Sequence, residues 1–403
     1  MWRWAWLGLL ALCAPRPAAA YPWMIRHEYT GCGVCHLDPS GAGLLTDYGR
    51  AQSALLLEMQ YGAPPKGDEA PRSADFLFGA LPLPEWLLAQ VSYRGAGFWV
   101  KSTTPGPPGN PATTATDSRY LQMLLDGRAG LKIGPFRASG TLGWSNAPTT
   151  LPAAVATNAD GSLQLVSREY WVGLQLAEDT VLIRAGRMNL PFGLRNVEHV
   201  AWVREPTDTT IDVSQQSGVA VAYDNAKVRA EVMALLGNLN VKPDSFRQRG
   251  VSGLVEIPVA ERATLGLSGL VSRAGQDTAS GGAPVLRQVY GVFSRWAVVE
   301  PVVITAEADV YFRDKLGSGQ IQPNGAAWLQ VDYEPIQGLH FQPAFEAQQL
   351  YGTSGLGYGA WMTIDWFCLP HTELRLDGVW RNTPATYGAA NTFSLLVQLH
   401  VFL

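Results

Sequence analysis

Residues 29–50 read YTGCGVCHLDPSGAGLLTDYGR and contain the only Cys-x-x-Cys-His sequence of the chain. Cys32 and Cys35 are thiols that can add to the two vinyl groups of a haem, and His36 then lies where its imidazole can bind the iron from the proximal side. A disulfide or half of a zinc site are the competing interpretations. A disulfide gives His36 no role, and structural zinc takes four ligands, for which no second Cys or His pair lies nearby. The motif therefore predicts one covalently bound haem c.

Three further residues are candidates for the second axial ligand of a haem iron. His27 lies five residues before Cys32 and ranks first, because it is next to the loop that must wrap the haem. Met59 ranks second, since a folded-back helix could deliver it, and Met24 is the third candidate; a methionine ligand favours a higher potential than a histidine. An open sixth position and a plain packing role for Met59 remain alternatives.

A short helix is predicted after the motif. Apolar residues recur near helical spacing from Leu45 to Met59, with Thr46 in the N-cap position and Gly62 as a stop signal. Residues 63–76 are polar and proline-bearing, which is typical of a linker. The motif and the helix together predict a small α-helical c-type haem module.

The first 20 residues have the pattern of a Sec signal peptide. Arg3 precedes an apolar run, and the small residues Ala18 and Ala20 occupy the last positions that a signal peptidase reads. Such a signal takes the chain to the periplasm, where covalent haem attachment occurs. The expected division is a signal peptide over residues 1–20, the haem module and linker over 21–75, and a third region over 76–403.

From about Leu87 onward the chain resolves into about sixteen segments in which apolar and polar residues alternate. In VITAEADVYFR, for example, Glu307 and Asp309 alternate with alanine and valine. Short connections such as residues 134–135 alternate with long polar ones such as 382–391. Short turns on one rim, long loops on the other and an even strand count are typical of bacterial outer-membrane barrels. The predicted fold class is all-β: a transmembrane antiparallel up-and-down β-barrel of about sixteen strands, preceded by the helical module.

The composition favours a protein with a membrane-facing surface and argues against a strongly basic binding surface. The net charge is −4, so nothing indicates nucleic acid as a partner. Hydrophobic residues make up 47% of the chain and charged residues only 16%. A soluble β-sandwich or propeller would also show alternation, but the polar faces carry charges of both signs and the loop rhythm persists over seven hairpins. Two aromatic girdles are expected, near the long loops at Trp99, Trp144 and Trp380 and in the other half at Tyr333, Trp366 and Phe393.

The connection after the fifth predicted strand opens with RAGRMNLPFGLRN. This stretch resembles the strand-to-loop segment of phosphate-selective-type porins, in which a long third loop can fold inward and constrict the pore. Arg187, Arg195 and Arg204 would then present positive charge to anions. The alternative is that these arginines are solvated surface residues.

With both parts in view, the chain resembles the outer-membrane cytochrome–porin fusion family, on the segment MIRHEYTGCGVCHLDPSGAGLLTDYGR followed by the strands. The resemblance implies that Cys32 and Cys35 form the thioethers, that His36 is the proximal ligand, and that electrons cross the outer membrane. The implied partners are a soluble periplasmic electron carrier, an external donor or acceptor, and outer-membrane lipid. Some family members oxidise iron, so a metal oxidase activity stays open, although no catalytic residue is identified. Many sixteen-strand porins trimerise, which leaves a homotrimer open.

The position of the haem module separates two functions. The apolar band of such a barrel is about 25 Å tall, so a haem wholly in the periplasm could not carry electrons across it. A module inside the lumen would favour electron transfer. A module hanging below the turns would favour the alternative, a passive diffusion porin for anions or small solutes with a haem module for gating, sensing or targeting. A barrel whose motif only forms a disulfide is the third hypothesis.

Overall fold

The computed structural model describes residues 21–41, 43–61, 75–146, 151–158, 163–198, 200–211, 213–277, 282–316, 318, 321–350, 352–353 and 355–403. The predicted signal peptide, residues 1–20, lies outside the described residues. So do Gly62 and most of the predicted linker.

Sixteen long antiparallel strands close into a barrel, as predicted, because the first strand pairs with both the second and the last. A small hairpin of two short strands, β4 (Ala154–Thr157) and β5 (Gln164–Val166), lies in the loop between the third and fourth barrel strands. The barrel strands are β1 (Leu87–Thr104), β2 (Thr113–Ile133), β3 (Phe136–Ser145), β6 (Tyr170–Leu176), β7 (Val181–Met188), β8 (Gln216–Asp224), β9 (Arg229–Gly237), β10 (Arg249–Ala260), β11 (Ala263–Ala274), β12 (Val285–Val299), β13 (Val302–Lys315), β14 (Pro323–Ile336), β15 (Leu339–Gln349), β16 (Gly357–Leu369), β17 (Thr372–Ala385) and β18 (Gly388–Phe402).

The strands bury their polar faces and expose their apolar faces. On β17, Leu374 and Leu376 are 38% and 41% exposed, whereas Glu373, Arg375 and Asp377 are at most 7% exposed. A soluble sandwich or propeller would bury the apolar face instead, because that face forms its core. The inversion is the arrangement of a barrel with a polar interior and an apolar outer band, and it excludes the soluble alternatives.

The prediction of a long loop over residues 382–391 is wrong. β17 continues to Ala385 and β18 starts at Gly388, so only two residues join them. The polar side chains that suggested a loop extend the ladder above the apolar band, and Gly388 has a positive φ that suits the tight turn. Phe393 pairs with Trp380 as a consequence. It therefore belongs to the aromatic residues near the long loops and not to the opposite half.

The helical elements are short. Thr46 caps the N terminus of the α-helix as predicted, its Oγ1 accepting a hydrogen bond from the Gly49 amide at 3.0 Å. Helical geometry ends at Leu57, so Met59 lies beyond the helix. No helix in the described part of the chain is long and apolar enough to cross a bilayer. The helical segments are a 3-10 helix (Pro22–His27), α1 (Asp47–Gln52), a π-helical turn (Ser53–Leu57), and 3-10 turns at Phe76–Gly79 and Asp244–Phe246.

Candidate functional site

Residues 21–61, hereafter the N-terminal segment, contact inward-facing side chains on nearly opposite sides of the barrel. Arg26 forms an ion pair with Asp332 on β14. Asp38 forms one with Arg184 on β7, at 2.9 Å. The strand order places six barrel strands between β7 and β14 on one side and eight on the other. The segment therefore spans the lumen.

Further contacts locate the N-terminal segment at the rim of the short turns. The Arg50 guanidinium donates a hydrogen bond to the Ala89 carbonyl, near the start of β1, at 2.7 Å. The Met59 amide donates to the Phe367 carbonyl, near the end of β16, at 3.0 Å. Lys132, at the end of β2, pairs with Asp47 of α1 at 2.6 Å. The segment thus fills the lumen at the short-turn end.

The Cys-x-x-Cys-His sequence forms one helical turn inside this segment. The amides of Cys35 and His36 both donate to the Cys32 carbonyl, at 3.2 and 3.0 Å. All three residues are buried. Helix α1 presses directly on the turn, because a Cβ added at Gly49 would lie 2.2 Å from the Cys35 carbonyl oxygen. The turn therefore packs directly against α1.

A cavity of about 570 Å³ lies beside the turn, within the size range of about 300–1,000 Å³ that is usual for ligand and cofactor sites. Cys35 and His36 line it, and so does Gly41. Cys32 lies just behind Gly41, since a Cβ at Gly41 would be 2.8 Å from the Cys32 sulfur. The Cys35 thiol and the His36 imidazole line this partly open cavity, and the Cys32 thiol lies behind Gly41, so the three residues of the motif are compatible with a covalently bound haem. Other lining residues are Met24, Gln90, Arg94, Arg128, Arg168 and His400.

The alternative of a zinc site gains no support from the described residues. They contain no group of three or more His, Cys, Asp or Glu side chains placed to hold a metal ion. Burial, with the neighbouring Cys32 as a lesser cause, raises the pKa of the Cys35 thiol to about 12. The unmodified Cys35 is therefore a neutral thiol near pH 7.

The candidates for the second axial ligand are placed differently from one another. Met24 lines the cavity together with His36. His27 and Met59 are not among the described residues that line this cavity. The sequence interpretation did not single out His400, which does line it. The signal that could have found His400 is the alternation in TFSLLVQLHVFL, which places it on the same polar face as Gln398.

The loop over residues 189–215 folds into the lumen, as the resemblance to porins suggested. The Leu194 amide donates to a carboxylate oxygen of Glu307 on β13 at 3.0 Å. The Trp202 amide donates to Glu346 on β15, also at 3.0 Å. The side chains of Leu194 and Trp202 are buried. This inward loop, defined as residues 189–215, occupies part of the lumen that the N-terminal segment does not fill.

The three arginines predicted for the pore loop are buried, so they are not solvated surface residues. Arg204 pairs with Glu307 on the wall. Arg195 donates to the Ser40 carbonyl at 2.9 Å and so ties the inward loop to the N-terminal segment. Arg187 belongs to the end of β7 and donates to the Arg168 carbonyl at 3.1 Å. Of the three, Arg195 lines the cavity.

No family model and no curated protein match the chain. Solved structures do. OmpT, an outer-membrane protein of Vibrio cholerae, is 10% identical, with a TM-score of 0.56 over 80% of this chain and 99% of its own. An anion-selective porin from Comamonas acidovorans is 10% identical, with a TM-score of 0.55 over 79% and 99%. The fold is that of a porin. The outer-membrane channel DcaP of Acinetobacter baumannii matches similarly, at 14% identity and a TM-score of 0.54 over 78% and 96%.

At these identities the similarity establishes the porin-like barrel and nothing finer. The barrel part of the expected cytochrome–porin fusion is thereby confirmed. The haem part, with its ligands, stays a prediction from the motif.

Proposed function

We propose that this chain is an outer-membrane electron-transfer protein that binds one haem c in the lumen of its porin-like barrel. The observation that carries the proposal is the location of Cys35 and His36, which line a partly open cavity inside the barrel. The predicted signal peptide and the apolar outer band support an outer-membrane location. A soluble periplasmic carrier would meet the short-turn rim, and an external donor or acceptor would meet the long-loop rim.

The residues of the chain divide the work of holding such a group. Cys32 and Cys35 would fix the macrocycle covalently, and His36 would bind its iron. Arg128 and Arg168 line the same cavity; Arg168 already pairs with Asp126 at 2.6 Å, whereas Arg128 is 3.8 Å from that carboxylate and is the better placed of the two to bind a carboxylate of a haem. The bound haem would supply reversible one-electron chemistry. The N-terminal segment and the inward loop would exclude water from it.

A passive diffusion channel is the second candidate, and the comparisons favour it. The matched structures include a porin named as anion-selective. In this chain Arg94, Arg128, Arg168 and Arg195 line the cavity together with only two carboxylates among the described residues, Glu169 and Glu205, and this excess of positive charge would suit small anions. The N-terminal segment would then act as a gate, a redox sensor or a targeting module. One OmpT structure is a trimer form, and a homotrimer belongs to this proposal too.

The deciding experiment starts from the purified mature protein. It has three cysteines, Cys32, Cys35 and Cys368, so after denaturation and reduction covalent haem predicts one alkylatable thiol, whereas free thiols or a Cys32–Cys35 disulfide predict three. The protein is then reconstituted in liposomes that enclose an electron acceptor, and an impermeant external reductant, including ferrous iron, is added. Reduction of the enclosed acceptor supports electron transfer.

The matched control is the Cys32→Ser/Cys35→Ser protein, which keeps Cys368 and the barrel. It should carry no haem and pass no electrons. Free passage of small anions by the wild-type protein, without electron transfer, would contradict the main proposal and support the channel. Three alkylatable thiols in the wild-type protein would contradict the haem itself.

A further inference from the structure

A histidine of the barrel wall faces the same cavity as the Cys-x-x-Cys-His turn. His400 lies on β18, where its register partners are Glu373 on β17 and Arg94 on β1. Its side chain is 13% exposed, and it lines the cavity with His36. The ring of Phe402, 5.1 Å from that of His400, also lines the cavity.

The hydrogen bonds of His400 define its tautomer. Nδ1 is 2.8 Å from the Glu373 carboxylate and 3.2 Å from the Arg94 guanidinium. An ionised carboxylate can only accept and a guanidinium can only donate, so the two contacts call for opposite tautomers, and the shorter one, to Glu373, favours the proton on Nδ1. Arg94 then interacts with Glu373 itself, at 3.9 Å. The lone pair of Nε2 is left as the atom through which this imidazole can bind a metal.

This is the arrangement that metal-bound histidines adopt, with one ring nitrogen on the metal and the other donating to a carboxylate that orients the ring. We propose that His400 would supply the second protein ligand to the haem iron, in addition to His36. The inference rests on the proposed function, because it needs a haem in the cavity. It assigns a ligand from the barrel wall, about 360 residues away in sequence from the motif.

Met24 is the competing ligand on the cavity, and its packing argues against it. Its side chain is 2% exposed and belongs to a cluster with Trp23, Leu57 and Cys35, so it lies near the motif but among apolar side chains. A thioether in that role fills space between apolar neighbours. His400 instead has a polar partner that orients it. Because Glu373 increases the basicity of the imidazole, the pair favours the oxidised iron and a lower reduction potential than a methionine ligand would give.

The test uses the full-length haem protein with His400→Gly, read by the spin state of the ferric haem. We expect the wild type to be low-spin with two histidine ligands, His400→Gly to become high-spin, and added imidazole to restore the low-spin spectrum. His340→Gln is the control, because its amide can keep a hydrogen bond to Asp332, which pairs with Arg26 of the N-terminal segment. His340 is also a buried wall histidine, 3.0 Å from the Asp332 carboxylate, but it does not line the cavity. Its spectrum should stay low-spin.

A second variant guards against a folding defect in His400→Gly. Glu373→Gln keeps a hydrogen-bond acceptor but removes the charge, and should raise the reduction potential while the haem stays low-spin. Heat-modifiable electrophoretic mobility reports whether each barrel is folded. Haem that stays low-spin in folded His400→Gly would overturn the assignment, as would a switch to high-spin in Met24→Leu. Wild-type protein without covalent haem would overturn the proposed function together with the assignment, and the thiol count separates that outcome from the others.

Discussion

Substitution of Arg26 by glutamine should loosen the N-terminal segment from the barrel. The guanidinium pairs with Asp332 and Glu334 on β14, and both Arg26 and Asp332 are buried. Breaking a buried ion pair by removing one partner costs about 3–5 kcal/mol. Asp332 keeps hydrogen bonds from His340 at 3.0 Å and Gln342 at 2.7 Å, which compensate part of the loss. We therefore expect the lower end, about 3 kcal/mol, which corresponds to about a 150-fold change in the docking equilibrium.

Hydrogen exchange read by mass spectrometry measures this equilibrium directly. Peptides from residues 21–61 should exchange about 150-fold faster in Arg26→Gln, while peptides from the barrel strands keep their protection. Arg119→Gln is the matched control, because Arg119 pairs with Asp117 at 3.8 Å on the exposed end of β2 and such pairs contribute at most about 1 kcal/mol. Equal exchange in Arg26→Gln and the wild type would refute the idea that this ion pair holds the segment in the lumen.

Three further predictions follow from the packing. Gly49→Ala should lower the haem content, since its Cβ would collide with the Cys35 carbonyl, whereas Gly97→Ala, with nothing within 4 Å, should leave the haem-stained band unchanged. Burial raises the pKa of Glu58 to about 7. Because the docked segment favours the protonated carboxyl, docking should be strongest below about pH 4.5 and weaken as the pH rises through about 7. Glu58→Gln should abolish this pH dependence, as measured by hydrogen exchange corrected for intrinsic rates. Arg204→Gln should release the inward loop and raise ion conductance in planar bilayers, most of all in combination with Arg26→Gln; unchanged conductance in the double variant would show that neither element blocks the lumen.

The sequence was sufficient for the barrel because alternation is a local property. Each strand carries its own two faces, so Glu307 and Asp309 could be assigned to one face without knowledge of any other strand. Turn residues located most strand ends for the same reason. The error at residues 382–391 arose where polar residues extend a ladder beyond the apolar band, since polarity by itself does not distinguish such a strand end from a loop.

The site could be predicted only in part. Cys32, Cys35 and His36 lie within five residues of one another, so their spacing was enough to predict a haem-attachment motif. The partners of the segment are not contiguous: Arg26 meets Asp332 across 306 positions, and Asp38 meets Arg184. Which inward carboxylate pairs with which arginine depends on barrel register and on the path of the segment, and neither is encoded in a short window.

If the Cys-x-x-Cys-His turn carries the covalent haem proposed above, its location also imposes an order on biogenesis. The turn is enclosed by wall strands from both ends of the chain, and the closing seam is the pairing of β1 with β18. A ligase that attaches a porphyrin must reach both thiols, and it cannot do so once the seam is zipped. Attachment of haem to the N-terminal segment would therefore precede closure of the barrel. The periplasmic chaperones that deliver the unfolded strands would then carry a chain that already holds its haem.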